Sequence, residues 1–320
     1  MNITLITSSI HDAALSLDVV RDILISSEHQ VEAVEDNENL AVSLQQNRPD
    51  LVLIVGEDPS LGDGHIQELL DLFDIAYVGT SAQVCRVISS KDALSLVVER
   101  SFETANERIN ATWPKQFVIG PRELDALKQS NSFTALSESI PGGYPLVVTP
   151  DTDQWGSMAQ VVEDETELQQ ALEKTLDGTR QALVQPFIEG VGLTVCLLGQ
   201  GWDAFVMPAV EVCSSEGSDN GLAFGDCNAT CYAPVRLESL SADQSDAQAI
   251  RAEIERAALD VYASSGMRDW GSVDIVWDGA RAQVVGVHCV PSFLSGAPFE
   301  RACSAVGLTF EGIINRIIDL

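Results

Sequence analysis

The sequence predicts an α/β protein, and three features predict it. Strand-like and helix-like segments alternate through the opening part of the chain. A polar stretch, KQSNSFTALSESIPGGYP at 128–145, then interrupts them, and from residue 191 the pattern becomes β-rich. Strands separated by helices imply right-handed crossovers and a parallel sheet, and ligands of such a sheet sit beyond the C-terminal strand ends.

Taken in order, NITLIT (2–7) is a strand, and 11–26 carries Ala14, Leu17, Val20, Ile23 and Leu24 at helical spacing. QVEAV in the 30–35 region is a short strand, a helix follows near 39–47, and DLVLIV (50–55) is a buried strand. HIQELLDLFD (65–74) predicts a helix, IAYVG the next strand, and helical spacing returns over 81–103. The 128–145 stretch reads as a loop or linker.

YPLVVTP (144–150) and AQVVED (159–164) predict a hairpin turning near Asp153 to Ser157. A helix follows over 165–177, with Thr166 or an adjacent Asp as its cap and its acids in solvent, and then a strand, ALVQPFI (182–188). GLTVCLLG and AFVMPAVEV are strands, 213–234 is a long irregular segment, and 243–265 is a helix. GSVDIVW and AQVVGVHCV form a closing strand pair, and a helix covers 309–319.

Composition narrows the function classes. The chain has 320 residues, enough for two or three domains, and a 45% hydrophobic content that suits ordered cores. Its net charge of −30, from 18 basic and 48 acidic residues, excludes sequence-independent binding to nucleic acid or to anionic membrane surfaces. Such acidity also suits a salt-adapted host. Lysine is scarce: Lys91, Lys115, Lys128 and Lys174 are all there are. No basic segment followed by an apolar stretch opens the chain, and no apolar run is long enough to span a bilayer. Seven cysteines, an odd number and scattered, fit reduced thiols in a cytoplasm.

The most informative stretch is VVGVHCVPS (284–292), a β-branched strand that Pro291 ends. Strand tips of this kind hold metal-binding carboxylates in many enzymes. This one presents Gly286, His288 and Cys289.

The order of pieces resembles a known family. LGDGHIQELLDLFDIAYVGTSAQVCRVISSKDAL (61–94), YPLVVTP, ALVQPFIEG, GSVDIVW, AQVVGVHCVPS and the closing GLTFEGIINRIIDL are similar to D-alanine-D-alanine ligases of the ATP-grasp superfamily. The resemblance implies an ATP-grasp fold: an N-terminal parallel α/β domain (1–84), then a central lobe (85–188) and a C-terminal lobe (189–320), two α+β lobes enclosing a nucleotide cleft. Such ligases join two D-alanines through an acyl-phosphate made with ATP, and two magnesium ions neutralise the phosphates. The chemistry is positioning plus electrostatic stabilisation.

The resemblance also assigns roles position by position. Lys91 falls on a phosphate-binding lysine and Asp274 on the first magnesium carboxylate. Thr149 stands for a second phosphate lysine, Gln185 for a glutamate near the adenine, and Gly192 for the glutamate that holds the ribose. Gly286 and His288 stand for a glutamate and an asparagine that bind magnesium, and Ser272 for an arginine that stabilises transition-state charge. Asp12 stands for a glutamate that anchors the first amino acid, and Glu57 for a histidine of the D-alanine site. DTDQWGSMAQ replaces the small-residue turn over the phosphates. In FGDCNATC (224–231), Phe224, Asp226 and Ala229 keep the frame of the active-site loop, while Thr230 and Cys231 replace a lysine and a tyrosine.

Scaffold letters such as Tyr77, Gly79, Pro150, Phe187, Gly190 and Pro291 are kept, whereas most chemical ones are changed. The expectation is therefore a ligase fold that has lost ligation and serves regulation or partner binding, in the cytoplasm and as a homodimer. Its ligand would be a nucleotide or a D-amino acid. Two alternatives stand beside it. One is an active D-alanine-D-alanine or related carboxylate-amine ligase with a rebuilt site, using ATP and magnesium in peptidoglycan precursor synthesis. The other is a zinc- or small-ligand-binding module built on Cys227, Cys231, His288 and Cys289. With ligation lost, no cofactor is required.

Overall fold

The chain opens with β1 (Asn2–Thr7), α1 (Ala14–Ser26), β2 (Gln30–Glu35), α2 (Leu40–Gln46) and β3 (Leu51–Ile54), which make a parallel sheet of order β2-β1-β3. The structure is a computed structural model, and it describes residues 1–104, 111–152, 158–214 and 229–318. Ile3 faces Val31 on one side and Leu51 on the other, and Leu5 faces Ala33 and Leu53. Because the chain crosses from β2 over β1 to β3, the C-terminal ends of β1 and β3 open a crevice.

The helices after β3 carry the chain toward the rest of the molecule. They are α3 (His65–Leu72), α4 (Ala82–Ile88) and α5 (Lys91–Thr104). The strand expected at IAYVG is reduced to one parallel bridge between Val52 and Tyr77. The ladder stops there because Gly79, at φ +116°, turns the backbone away. Its N–H donates to Asp269 Oδ2 at 2.8 Å, and its carbonyl accepts from Arg268 Nε at 2.7 Å.

A second sheet is antiparallel. After β4 (Ala111–Thr112), β5 (Phe117–Ile119) leads into α6 (Pro121–Ser130) and α7 (Phe133–Ser139). Next come β6 (Leu146–Pro150), β7 (Gln160–Val162), α8 (Glu165–Gly178) and β8 (Ala182–Pro186), and the sheet runs β5-β8-β6-β7. The 128–145 stretch is thus not a plain linker: it holds the end of α6 and all of α7, whose Phe133 and Leu136 join Leu168, Leu172 and Val184 in a core of their own. The expected hairpin between β6 and β7 is present, and its turn at 153–157 lies outside the described residues. Asp164 caps α8 by accepting from the Glu167 N–H at 2.9 Å, which makes the adjacent Asp the cap.

The largest sheet is built from β9 (Val191–Gln200), β10 (Phe205–Val206), β11 (Val210–Cys213), β12 (Thr230–Tyr232), β13 (Arg268–Trp277) and β14 (Ala282–His288). Its order is β12-β11-β9-β13-β14-β4, with β10 paired to β9. AFVMPAVEV is therefore two short strands rather than one, and the irregular stretch ends in β12. Among the described residues the remaining helices are α9 (Leu237–Leu240), α10 (Gln244–Ser265), α11 (Pro298–Ala305) and α12 (Phe310–Ile318). Helix α12 packs Ile313, Ile314 and Ile318 into the core that holds Leu17, Val20 and Leu24 of α1. Each such burial is worth about 1.5–3 kcal/mol, enough to fasten the chain's last helix to its first sheet.

Candidate active site

The closing strand pair sets the geometry. Strands β13 and β14 run antiparallel, so Asp274 lies opposite Gly286 and Ser272 opposite His288; β9 on the other side places Thr194 beside Asp274. Residues two apart on a strand share a face, and His288 therefore leans diagonally onto Asp274. Its Nε2 stands 2.6 Å from Asp274 Oδ2, and Thr194 Oγ1 donates to Asp274 Oδ1 at 2.7 Å. His288 and Asp274 are both buried. Thr194 was missed at the sequence level, although the same alternation that buries Val195 and points Asp274 inward could have found it.

Position by position, magnesium does not fit here. The ion takes hard oxygen ligands in near-ideal octahedral geometry. Both oxygens of Asp274 are engaged by neighbours, Gly286 has no side chain, and His288 brings nitrogen. Ser272 is buried within β13 and carries no charge.

The second cluster surrounds the start of α5. Lys91 is buried at the first position of that helix, and its N–H donates to the Asp151 carbonyl at 3.3 Å. The Asp151 carboxylate accepts from the Asp92 N–H at 3.0 Å and from Ser90 Oγ at 2.9 Å. Helix N-termini leave N–H groups without intrahelical partners and attract anions, so this carboxylate sits at a natural anion position. Thr149 lies two residues before it on β6, 1% exposed, with its hydroxyl donating to the Pro150 carbonyl at 3.4 Å. Gln185 is half-buried opposite Val147, and Gly192 is opposite Val276. Lys91, Thr149 and Asp151 are thus gathered, and Ser272, Asp274, Gly286 and His288 form the other group.

At the mouth of the β1/β3 crevice, Glu57 accepts hydrogen bonds from Ser16 Oγ at 2.6 Å and Ser292 Oγ at 3.1 Å. It links the first sheet to the segment after β14. Thr7, fully buried at the end of β1, keeps a hydroxyl with no hydrogen-bond partner among the described residues. Asp12 is exposed just before α1, its backbone N–H donating to Ser9 Oγ at 3.3 Å.

Among the described residues the zinc grouping is not assembled. Cys289, just past the end of β14, has its Sγ 3.6 Å from Cys85 Sγ, and Cys231 lies on β12. Cys227 lies outside the described residues, as do Phe224 and Asp226. Among the described residues no group of three or more His, Cys, Asp or Glu side chains could hold a metal.

Comparison with known proteins agrees with this architecture. The family model for the D-ala D-ala ligase C-terminus matches residues 116–319. D-alanine–D-alanine ligase of Carboxydothermus hydrogenoformans is 25% identical over 307 residues, covering 95% of this chain and 91% of that protein. The ligase of Halalkalibacterium halodurans is 27% identical over 304 residues, covering 94% and 91%. The structure of D-alanine–D-alanine ligase from Bacillus anthracis complexed with ATP superposes with a TM-score of 0.75 at 15% identity, covering 100% of this chain and 96% of that one. The VanG D-Ala:D-Ser ligase from Enterococcus faecalis gives 0.75 at 17% identity, covering 100% and 98%. With the family model matching residues 116–319 and the solved ligase structures superposing over the whole chain, the chain belongs to the D-alanine–D-alanine ligase family and has its ATP-grasp fold.

Proposed function

We propose that this member of the family keeps the ligase cleft as a place for a small ligand or a protein partner and does not perform ATP-dependent ligation. One observation carries this reading: Asp274 is hydrogen-bonded on both oxygens, by His288 and Thr194, and faces a glycine where a second metal carboxylate would be needed. Two-metal phosphoryl chemistry depends on cations neutralising the phosphates. The test is ADP release from the purified protein with magnesium, ATP and a panel of D-amino acids. No turnover above background is expected, and turnover abolished by Lys91→Ala would overturn the reading.

A second reading is favoured by a different observation. Relatives named D-alanine–D-alanine ligase match along up to 95% of the chain, and Lys91 is buried at the α5 N-terminus beside β6. These support an active ATP- and magnesium-dependent D-alanine-D-alanine or related carboxylate-amine ligase with a rebuilt site, acting on peptidoglycan precursors. The names of the relatives favour this reading, the strand-tip geometry favours the first, and the same ADP assay separates them.

Both readings share the division at 84/85 and 188/189, and a homodimer. A light-scattering mass of one chain would count against the dimer. A cytoplasmic setting fits the free thiols of Cys85, Cys196, Cys289 and Cys303. Among the described residues no helix is long and apolar enough to cross a membrane.

A further inference from the structure

The family resemblance marks two places where a ligand's charges would be received, and in this chain groups of the protein fill both. At the first, the glycine at 286 and the imidazole at 288 act as one arrangement. A Cβ built on Gly286 would lie 3.3 Å from Asp274 Oδ2 and 3.4 Å from His288 Nε2, so the ring and the carboxylate already close over the glycine. A side chain at 286 would crowd the Asp274–His288 contact. The ring in turn takes the carboxylate oxygen that would face a cation, at 2.6 Å.

At the second place, the N-terminal N–H groups of the fourteen-residue helix α5 meet a carboxylate from the end of β6. Asp151 accepts from the Asp92 N–H and Ser90 Oγ, and Ser90 Oγ itself accepts from the Ala93 N–H at 3.2 Å. Asp151 and Lys91 are each 8% exposed, so this contact is part of the interior rather than a surface association. An anion arriving at this helix end would have to compete with a tethered one of high effective concentration.

We propose that the protein itself occupies the charge-receiving positions of the cleft: the His288 ring stands against Asp274 where a divalent cation would sit, and the Asp151 carboxylate stands at the α5 N-terminus where a phosphoryl group would sit. The ligands left to it are molecules that bring neither a divalent metal nor a polyphosphate. This rests on the reading of the chain as a non-ligating family member.

The experiment uses the full chain and two simple probes, Mn(II) followed by electron paramagnetic resonance and inorganic tripolyphosphate followed by calorimetry without metal. Wild-type protein should show no one-to-one site for either probe. His288→Asn should bind Mn(II) at least about tenfold more tightly than wild type, the scale on which neighbouring groups control metal affinity. Asp151→Asn should gain tripolyphosphate affinity by a similar factor. One Mn(II) bound per wild-type chain and lost in Asp274→Asn would overturn the proposal, as would folded variants that bind no better than wild type. His288→Ser replaces His288→Asn if the latter does not fold, and the wild-type titrations decide without either. ADP release would overturn the proposed function, whereas metal binding without turnover would overturn only this inference.

Discussion

Gly190 shows how closely single residues are held where β8 gives way to β9. A Cβ there would come within 2.3 Å of the Trp277 carbonyl oxygen and 2.8 Å of Val276 Cγ1. The obstacle is backbone, which cannot swing aside as a side chain can. Gly190→Ala should therefore cost about 1–3 kcal/mol, read as a lower denaturant midpoint at unchanged slope. His65 makes a different kind of prediction. Its ring lies between Asp63 Oδ1 at 2.5 Å and Asp36 Oδ2 at 2.6 Å, and the hydrogen bond to Asp63 is the main cause that lifts its pKa from 6.5 to about 9. The folded state thus favours the protonated ring. The stability this gives is complete below pH 6.5 and is lost as the pH rises through about 9. Because the ring is nearly half exposed, the loss should be about 1 kcal/mol or less. Thermal midpoints measured between these pH values should fall for wild type more than for His65→Gln, and equal slopes would refute the pairing. At this scale the sequence placed Asp274 and His288 at one site only through the family resemblance, and the antiparallel pairing of β13 with β14 shows why they meet. The sequence hid their contact with Thr194, the Cys85–Cys289 approach and the Asp151 cap, because each joins elements far apart in the chain.

Elements were legible where periodicity was strong. The β-branched runs of β1, β3, β6 and β14 and the long helix α10 fall where their patterns place them. Helix α7 was hidden because Phe133, Ala135 and Leu136 are its few apolar residues, set among a threonine and serines that favour turns. Helix α11 was hidden by Pro298, which reads as a breaker but stands at the first helical position, where a missing N–H costs nothing. Neither local pattern shows that β11, β12 and α9 are tied by one buried side chain. Glu211, 3% exposed, accepts from Arg236 Nε at 3.0 Å, Arg236 Nη2 at 2.6 Å and Ser239 Oγ at 2.9 Å. Burial pushes its pKa up, the bonds from Arg236 and Ser239 pull it down, and the net result is a lowered value. The Arg236 guanidinium also covers the Tyr232 ring, 4.1 Å from its centroid. Glu211→Gln should cost about 2 kcal/mol, since it removes the charge from several hydrogen bonds at once while leaving the shape. Arg236→Lys, which cannot make the paired contact, should lose part of the same amount. Urea unfolding of both variants checks the ranking, and a neutral Glu211→Gln would show that the strut contributes no net stability.

Across the whole molecule the net charge of −30 has to be held in one folded chain with only 18 basic residues. The ion pairs among the described residues cannot offset it. Pairs such as Arg86 with Glu68 and Lys128 with Glu173 are substantially exposed and of the kind worth about 0–1 kcal/mol each. The dominant long-range term is therefore repulsion among carboxylates, which the unfolded chain relieves by expanding. Repulsion of this kind reaches about 30 Å at 0.01 M salt and about 8 Å at 0.15 M. Raising sodium chloride across that range should raise the thermal midpoint, with each kcal/mol of relieved repulsion shifting it by about 2–4 °C. A neutral osmolyte at matched osmolality separates screening from general exclusion effects, because it leaves the charge interactions untouched. A midpoint that falls with chloride would mean that attractive pairs, with the half-buried Glu211–Arg236 contact foremost, outweigh the excess of acids. The acidity would then be a property of the surface alone, without a stability cost at low salt.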